Sequence, residues 1–184
     1  MHSYKAGMID HLAAHDDDFM EAIELAVADK QPYSWRAAWL LWSCMEENDS
    51  RIRPYIRTII DVIPSKKDGH QRELLKILQQ MEISEKDEGY LFDLCVTMWE
   101  KVNSRTSVRY QAFNTIVSLA GKYPPLLNEI KCLTEDHYME TLSPGIKNAV
   151  YRMIKTISKH INQGKTPYKR GNTKDAPPFQ VNKN

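Results

Sequence analysis

Ser107-Val108-Arg109-Tyr110-Gln111-Ala112-Phe113-Asn114-Thr115-Ile116-Val117 decides the fold of this 184-residue chain. Val108, Ala112, Phe113, Ile116 and Val117, with Ala120 beyond them, recur at the three- and four-residue intervals of one helix face. Gly121 closes the run. A step of 37 residues from Ala112 reaches Leu75 and then Ala38 in one direction and Ala149 in the other, each inside a further apolar-periodic segment. Ala22, Ile59, Val96 and Leu133 keep the same interval, and Phe19, Ile56 and Ile130 fill three places of a third column. A fixed period of this length marks stacked supersecondary units.

Working outward, the punctuation agrees. Asp16, Asp17 and Asp18 precede an apolar run over 17–29, where carboxylates favour a helix N-terminus. Pro32 starts a turn and Ser34 opens a helix running to about Glu47. Asn48-Asp49-Ser50 is a turn cluster. Helices are predicted over 51–63, 70–82, 86–101, 106–121, 125–138 and 144–162, with Pro54, Pro125 and Pro144 in first turns, where proline is tolerated.

Paired, these runs give four amphipathic hairpins, 17–47, 51–82, 86–121 and 125–162, after a leading helix 4–15. No hairpin buries its apolar side alone, so each must stack on the next. The chain is therefore predicted to be all-α, with residues 1–163 forming a right-handed α-α superhelix of about four hairpins. Residues 164–184, polar, basic and without periodicity, are expected to form a flexible tail.

The hairpins resemble HEAT repeats, with Armadillo repeats as close relatives. Val108-Arg109-Tyr110-Gln111-Ala112 matches the apolar residue, Arg, two free positions and Ala that open the family's second helix. Gln71-Arg72-Glu73-Leu74-Leu75 keeps the Arg but has Leu75 at the Ala position. Trp35-Arg36-Ala37-Ala38 and Ile146-Lys147-Asn148-Ala149 place the basic residue one position later. The resemblance spans roughly 17–162 and implies a scaffold whose second helices line a concave binding surface. A bacterial branch of HEAT-like proteins repairs alkylated DNA; its catalytic segment has no counterpart in this sequence.

Composition narrows the functional classes. An apolar content of 42% with 27% charged residues is that of a folded domain rather than a disordered chain. No secretory signal and no run of 18 apolar residues occurs, so the protein is expected to be cytoplasmic and not membrane-bound. Cys44, Cys95 and Cys132 sit among apolar helical residues and are expected to be reduced and buried. Residues 1–100 hold 11 Lys/Arg against 19 Asp/Glu, and residues 101–184 hold 14 against 5, an electrostatic polarity between the halves.

The leading expectation is a non-enzymatic scaffold that binds a protein or peptide in a preformed groove. Its candidates are Trp35, Arg36, Trp39, Arg72, Arg109 and Lys147. Trp35, Trp39 and Trp42 lie at i, i+4 and i+7, a stripe that serves either as inter-helix core or as an anchor for a partner. Arg36, Arg72, Arg109 and Lys147 recur once per repeat, either as packed stems or as a positive stripe. The alternative is nucleic-acid binding through Arg109, Lys147, Arg152, Lys155 and Lys159. His11 and His15 share a helix face but lack a third ligand, so no metal and no cofactor is expected. No nucleophile elbow, phosphate-binding glycine loop or CxxC motif points to catalysis.

Overall fold

The computed structural model describes residues 4–162 and contains ten α-helices and no strand among them. They are α1 (Tyr4–Ala14), α2 (Asp16–Val27), α3 (Tyr33–Cys44), α4 (Ile56–Val62), α5 (Asp68–Leu78), α6 (Glu85–Glu100), α7 (Thr106–Ala120), α8 (Leu127–Cys132), α9 (Asp136–Met139) and α10 (Pro144–Asn162). Short 3₁₀ turns at Arg53–Tyr55, Ile63–Ser65 and Pro124–Leu126 flank α4 and lead into α8. The segment 164–184, expected to be a flexible tail, lies outside the described residues.

The helices form two layers. Helices α3, α5, α7 and α10 stack side by side as the second members of successive hairpins. On their far side, α2, α4 and α6 pack as first members, with α8 completing the last hairpin against α7 and α10. The leading α1 covers the start of the stack against α2 and α3.

The 37-residue columns are the seam. Ala38, Leu75 and Ala112 are wholly enclosed, whereas Ala149 is only half-buried because no repeat follows it in the described chain. Phe19, Ile56 and Ile130 are buried at matching first-helix positions. Ala37 and Ala38 are small residues at buried positions of α3, which allows close helix approach. At the heart, Trp99 and Phe113 are fully buried with ring centroids 4.5 Å apart. Side chains of this size carry most of the stacking free energy; truncating one costs about 3–5 kcal/mol.

Polar ties set the register between repeats. Asn48, at φ 55°, turns the chain after α3, and its N–H donates to the Gln80 carbonyl at 2.7 Å. Asn tolerates this left-handed conformation better than other side chains. Asp49 accepts from Arg51 Nε and Nη2 at 3.0 and 2.8 Å, while Arg51 Nη1 reaches Asp16 at 2.8 Å. The same guanidinium covers the Phe19 ring, 3.6 Å from its centroid. Glu88, on α6, is buried and accepts from Tyr123 Oη at 2.7 Å and from Lys122, closing the third hairpin.

The fourth hairpin departs from the expected single helix over 125–138. It breaks between α8 and α9, where the Leu133 carbonyl accepts the Trp99 indole N–H at 2.8 Å and Thr134 Oγ1 bonds back to the Lys131 carbonyl at 2.7 Å. Glu135 is extended (φ −63°, ψ 155°), so helix resumes only at Asp136.

Candidate functional site

Helix α3 buries Ser34, Ala37, Ala38 and Leu41 and turns its other side outward. On that side Trp35 is 37% exposed, Arg36 is exposed, and Trp39 and Trp42 are half-buried. Two tryptophans lean over the seam with α5. A Cβ at Gly69 would stand 3.5 Å from Trp35 Nε1, so the indole lies against the backbone of α5. The Trp42 ring carries Lys76 Nζ 4.2 Å from its centroid. The stripe is thus neither enclosed core nor isolated surface; it forms the wall of an open seam.

Helix α5 supplies the adjoining charges. Arg72 Nε and Nη2 donate to Glu73 Oε1 at 2.9 and 2.6 Å, and Lys76 Nζ donates to Glu73 Oε2 at 2.9 Å. The Glu73 side chain is completely buried, and its two cations, half-buried, neutralise it at the surface. Arg72 Nη1 makes no hydrogen bond among the described residues, and the side chain is 34% exposed. This buried carboxylate was not legible in the sequence, where Glu73 reads as an ordinary surface acid of an amphipathic helix.

Arg109 requires a correction. The sequence places it both in the groove and among nucleic-acid contacts, but it is entirely buried. Its Nε donates to the Trp99 carbonyl at 2.8 Å, Nη2 to the Tyr138 carbonyl at 2.6 Å and Nη1 to Thr141 Oγ1 at 3.0 Å. No carboxylate joins it among the described residues; the acceptors are backbone carbonyls of α6 and α9 and one hydroxyl. Burial pulls its pKa below the usual arginine value. The residue is a structural staple between α6, α7 and α9.

With Arg109 turned inward, the open side of α7 carries no cation. Gln111 and Asn114, both buried, donate to Gln79 Oε1 at 2.7 and 3.4 Å, and Gln79 Nε2 donates to Thr115 Oγ1 at 2.8 Å. A neutral network therefore separates the Trp35–Arg72 region from α10. There Lys147 is half-buried, while Arg152, Lys155 and Lys159 are exposed. Gly145, Asn148, Tyr151, Arg152 and Lys155 line a shallow cationic depression.

Charge also partitions by layer. Among first helices, α2 holds five acids and no base, α6 five acids against Lys86, and α4 and α8 are neutral, a formal −9. Among second helices, α3 and α7 hold one Arg each, α5 two cations against two acids, and α10 four cations and no acid, a formal +6, of which the inward Arg109 contributes nothing to the open face and four charges sit on α10. Sequence reading missed this because the layers interleave along the chain, so a linear count averages them.

The remaining sequence candidates are quickly placed. His15 Nδ1 lies 2.8 Å from the His11 carbonyl and its ring stacks on His11, whose Nε2 faces Asp18. Cys95 is buried, and burial pushes its thiol up to about 12, which keeps it protonated and unreactive. Cys44 is half-buried, and Cys132, the last residue of α8, is exposed, contrary to the expectation of burial. Among the described residues no helix is long and apolar enough to cross a membrane.

A stack of helical hairpins in two layers defines a helical-repeat fold. Residues 4–157 match the model of the HEAT repeat domain, and the chain belongs to that family. No curated protein and no solved structure matches the chain.

Proposed function

We propose that the open second-helix face docks an acidic segment of a protein partner. The partition of charge between the layers carries this reading: a cationic face backed by an anionic one orients and attracts an acidic chain from solution. Trp35 supplies the rigid apolar anchor, and Arg36 and Arg72 Nη1 supply donors for carboxylates. Helices hold all three side chains in place before the partner arrives, so little ordering is required on binding. HEAT repeat domains serve widely as interaction scaffolds, which supports the same reading.

Fluorescence anisotropy with a labelled Glu-rich peptide bearing a central Leu tests it. Trp35→Ala is expected to weaken binding by about 2 kcal/mol, roughly 30-fold. Arg36→Glu is expected to slow association and flatten its salt dependence. Arg36 is exposed, so its variant should keep wild-type helicity and melting; Trp35 rests against α5, so its variant should keep helicity with at most a small fall in melting temperature. Wild-type affinity in both variants would refute the proposal.

A second reading rests on α10, whose four cations meet no acid on their own helix. Phosphate backbones would contact Arg152, Lys155 and Lys159 there, with Lys147 at the edge. A titration against duplex and single-stranded DNA at two salt concentrations discriminates: a phosphate contact requires affinity that falls steeply with salt.

A further inference from the structure

The anionic layer has a built feature of its own, and from it we infer a second docking site, for a basic and apolar peptide segment of a partner protein. Phe92, Asp93, Val96 and Thr97 form a strip along α6, at the i, i+1, i+4 and i+5 positions. Glu129 of α8 and Leu133 just beyond it stand opposite, and the six residues enclose a groove of about 350 Å³. The bond from the Trp99 indole to the Leu133 carbonyl pins the far wall to α6, so the groove is held by the core.

Its chemistry is specific. Phe92, Val96 and Leu133 make an apolar floor, and Asp93 and Glu129, both exposed, rise on opposite sides. Neither carboxylate forms an ion pair among the described residues. Some carboxylates of this layer are matched, Asp61 and Asp87 by Arg57, Glu88 by Lys122 and Asp16 by Arg51, and what sets Asp93 and Glu129 apart from its other unpaired acids is that they flank an apolar floor. A groove that combines an apolar floor with two unmatched acids is complementary to a Lys or Arg whose stem lies on the floor and whose head sits between the carboxylates. A neighbouring Leu or Val of the same segment completes the apolar contact. The −9 of the surrounding layer draws such a segment in and repels acidic competitors. The site lies on the opposite layer from the acidic-partner face, so the two sites can be occupied together and the chain can bridge partners of opposite charge.

The test uses the full chain and a fluorescein-labelled Gly/Ser peptide with a central Leu-Lys-Leu-Lys. Asp93→Lys combined with Glu129→Lys should weaken binding about tenfold or more. Asp17→Lys combined with Glu21→Lys on α2 changes net charge equally and should leave affinity within about twofold. Replacing both peptide leucines by Ser should also cost about tenfold. Equal losses in the two double variants, or unchanged binding of the Ser peptide, would show diffuse attraction and overturn the site. Sedimentation of the free chain completes the experiment. Self-association abolished by Asp93→Lys with Glu129→Lys would assign the groove to a second copy and overturn the partner proposal.

Discussion

Arg109 and Trp99 hold each other twice: Arg109 Nε donates to the Trp99 carbonyl at 2.8 Å, and the guanidinium carbon lies 4.6 Å from the Trp99 ring centroid. The indole in turn donates to the Leu133 carbonyl. One cation and one aromatic therefore join the ends of α6, α7 and α8 and the turn into α9. Carbonyls near helix C-termini are the negative pole of the helix, which is why a buried cation persists there without a carboxylate.

Arg109→Ala removes three charge-assisted bonds and leaves the buried Trp99 carbonyl without this donor. The expected loss of stability is about 3–5 kcal/mol, read from the urea midpoint. Arg109→Lys keeps the charge but not the planar fork, and should recover only part of it. A Lys variant as stable as wild type would show that charge alone matters. Binding assays on this position would report unfolding rather than contact.

Stability should fall below neutral pH through His70. The ring is buried; its Nε2 donates to the Ala26 carbonyl at 2.8 Å and its Nδ1 accepts from Gln31 Nε2 at 2.9 Å. Burial holds its pKa below the ordinary 6.5; Lys66 adds to this, and Asp29 and Glu73 oppose it. The unfolded chain thus takes up the proton first, so stability is complete above 6.5 and declines as pH falls from there towards the depressed value. Urea midpoints from pH 7.5 to 5 should drop more steeply for wild type than for His70→Leu, which is weaker at neutral pH but lacks this titration. Parallel slopes would rule the mechanism out.

Gly89 lies within α6, and a Cβ built on it meets nothing within 4 Å. Gly89→Ala should therefore raise stability by about 0.5–1 kcal/mol through helix propensity alone. Thermal melting checks this, and a lower melting temperature would overturn it.

Much of the architecture was legible because it repeats. The enclosed Ala38, Leu75 and Ala112 stand where the period puts them, and Pro144 opens α10 by a local steric rule, whereas Pro54 and Pro125 lie in 3₁₀ turns ahead of α4 and α8 rather than in their first α-turns. The break at Leu133 was not legible, since it depends on Trp99, 34 positions away, taking a carbonyl that would otherwise continue the helix. The candidate site was legible only in part. Trp35 and Arg36 lie together on an exposed face, yet Arg72 is tied to a buried Glu73, and Arg109 points inward despite sharing the motif position of Arg72. Motif spacing places a residue on a helix; which way an arginine turns depends on the acceptors that another repeat presents.

Periodicity and turn chemistry are local, so this chain's helices and their stacking order followed from the order of its residues. The partition of charge into opposing layers, the inward Arg109 and the acid-rimmed groove of α6 and α8 arose only on packing. They are set by which distant side chains share a face, and interactions across 30 or more residues leave no periodic trace in the chain.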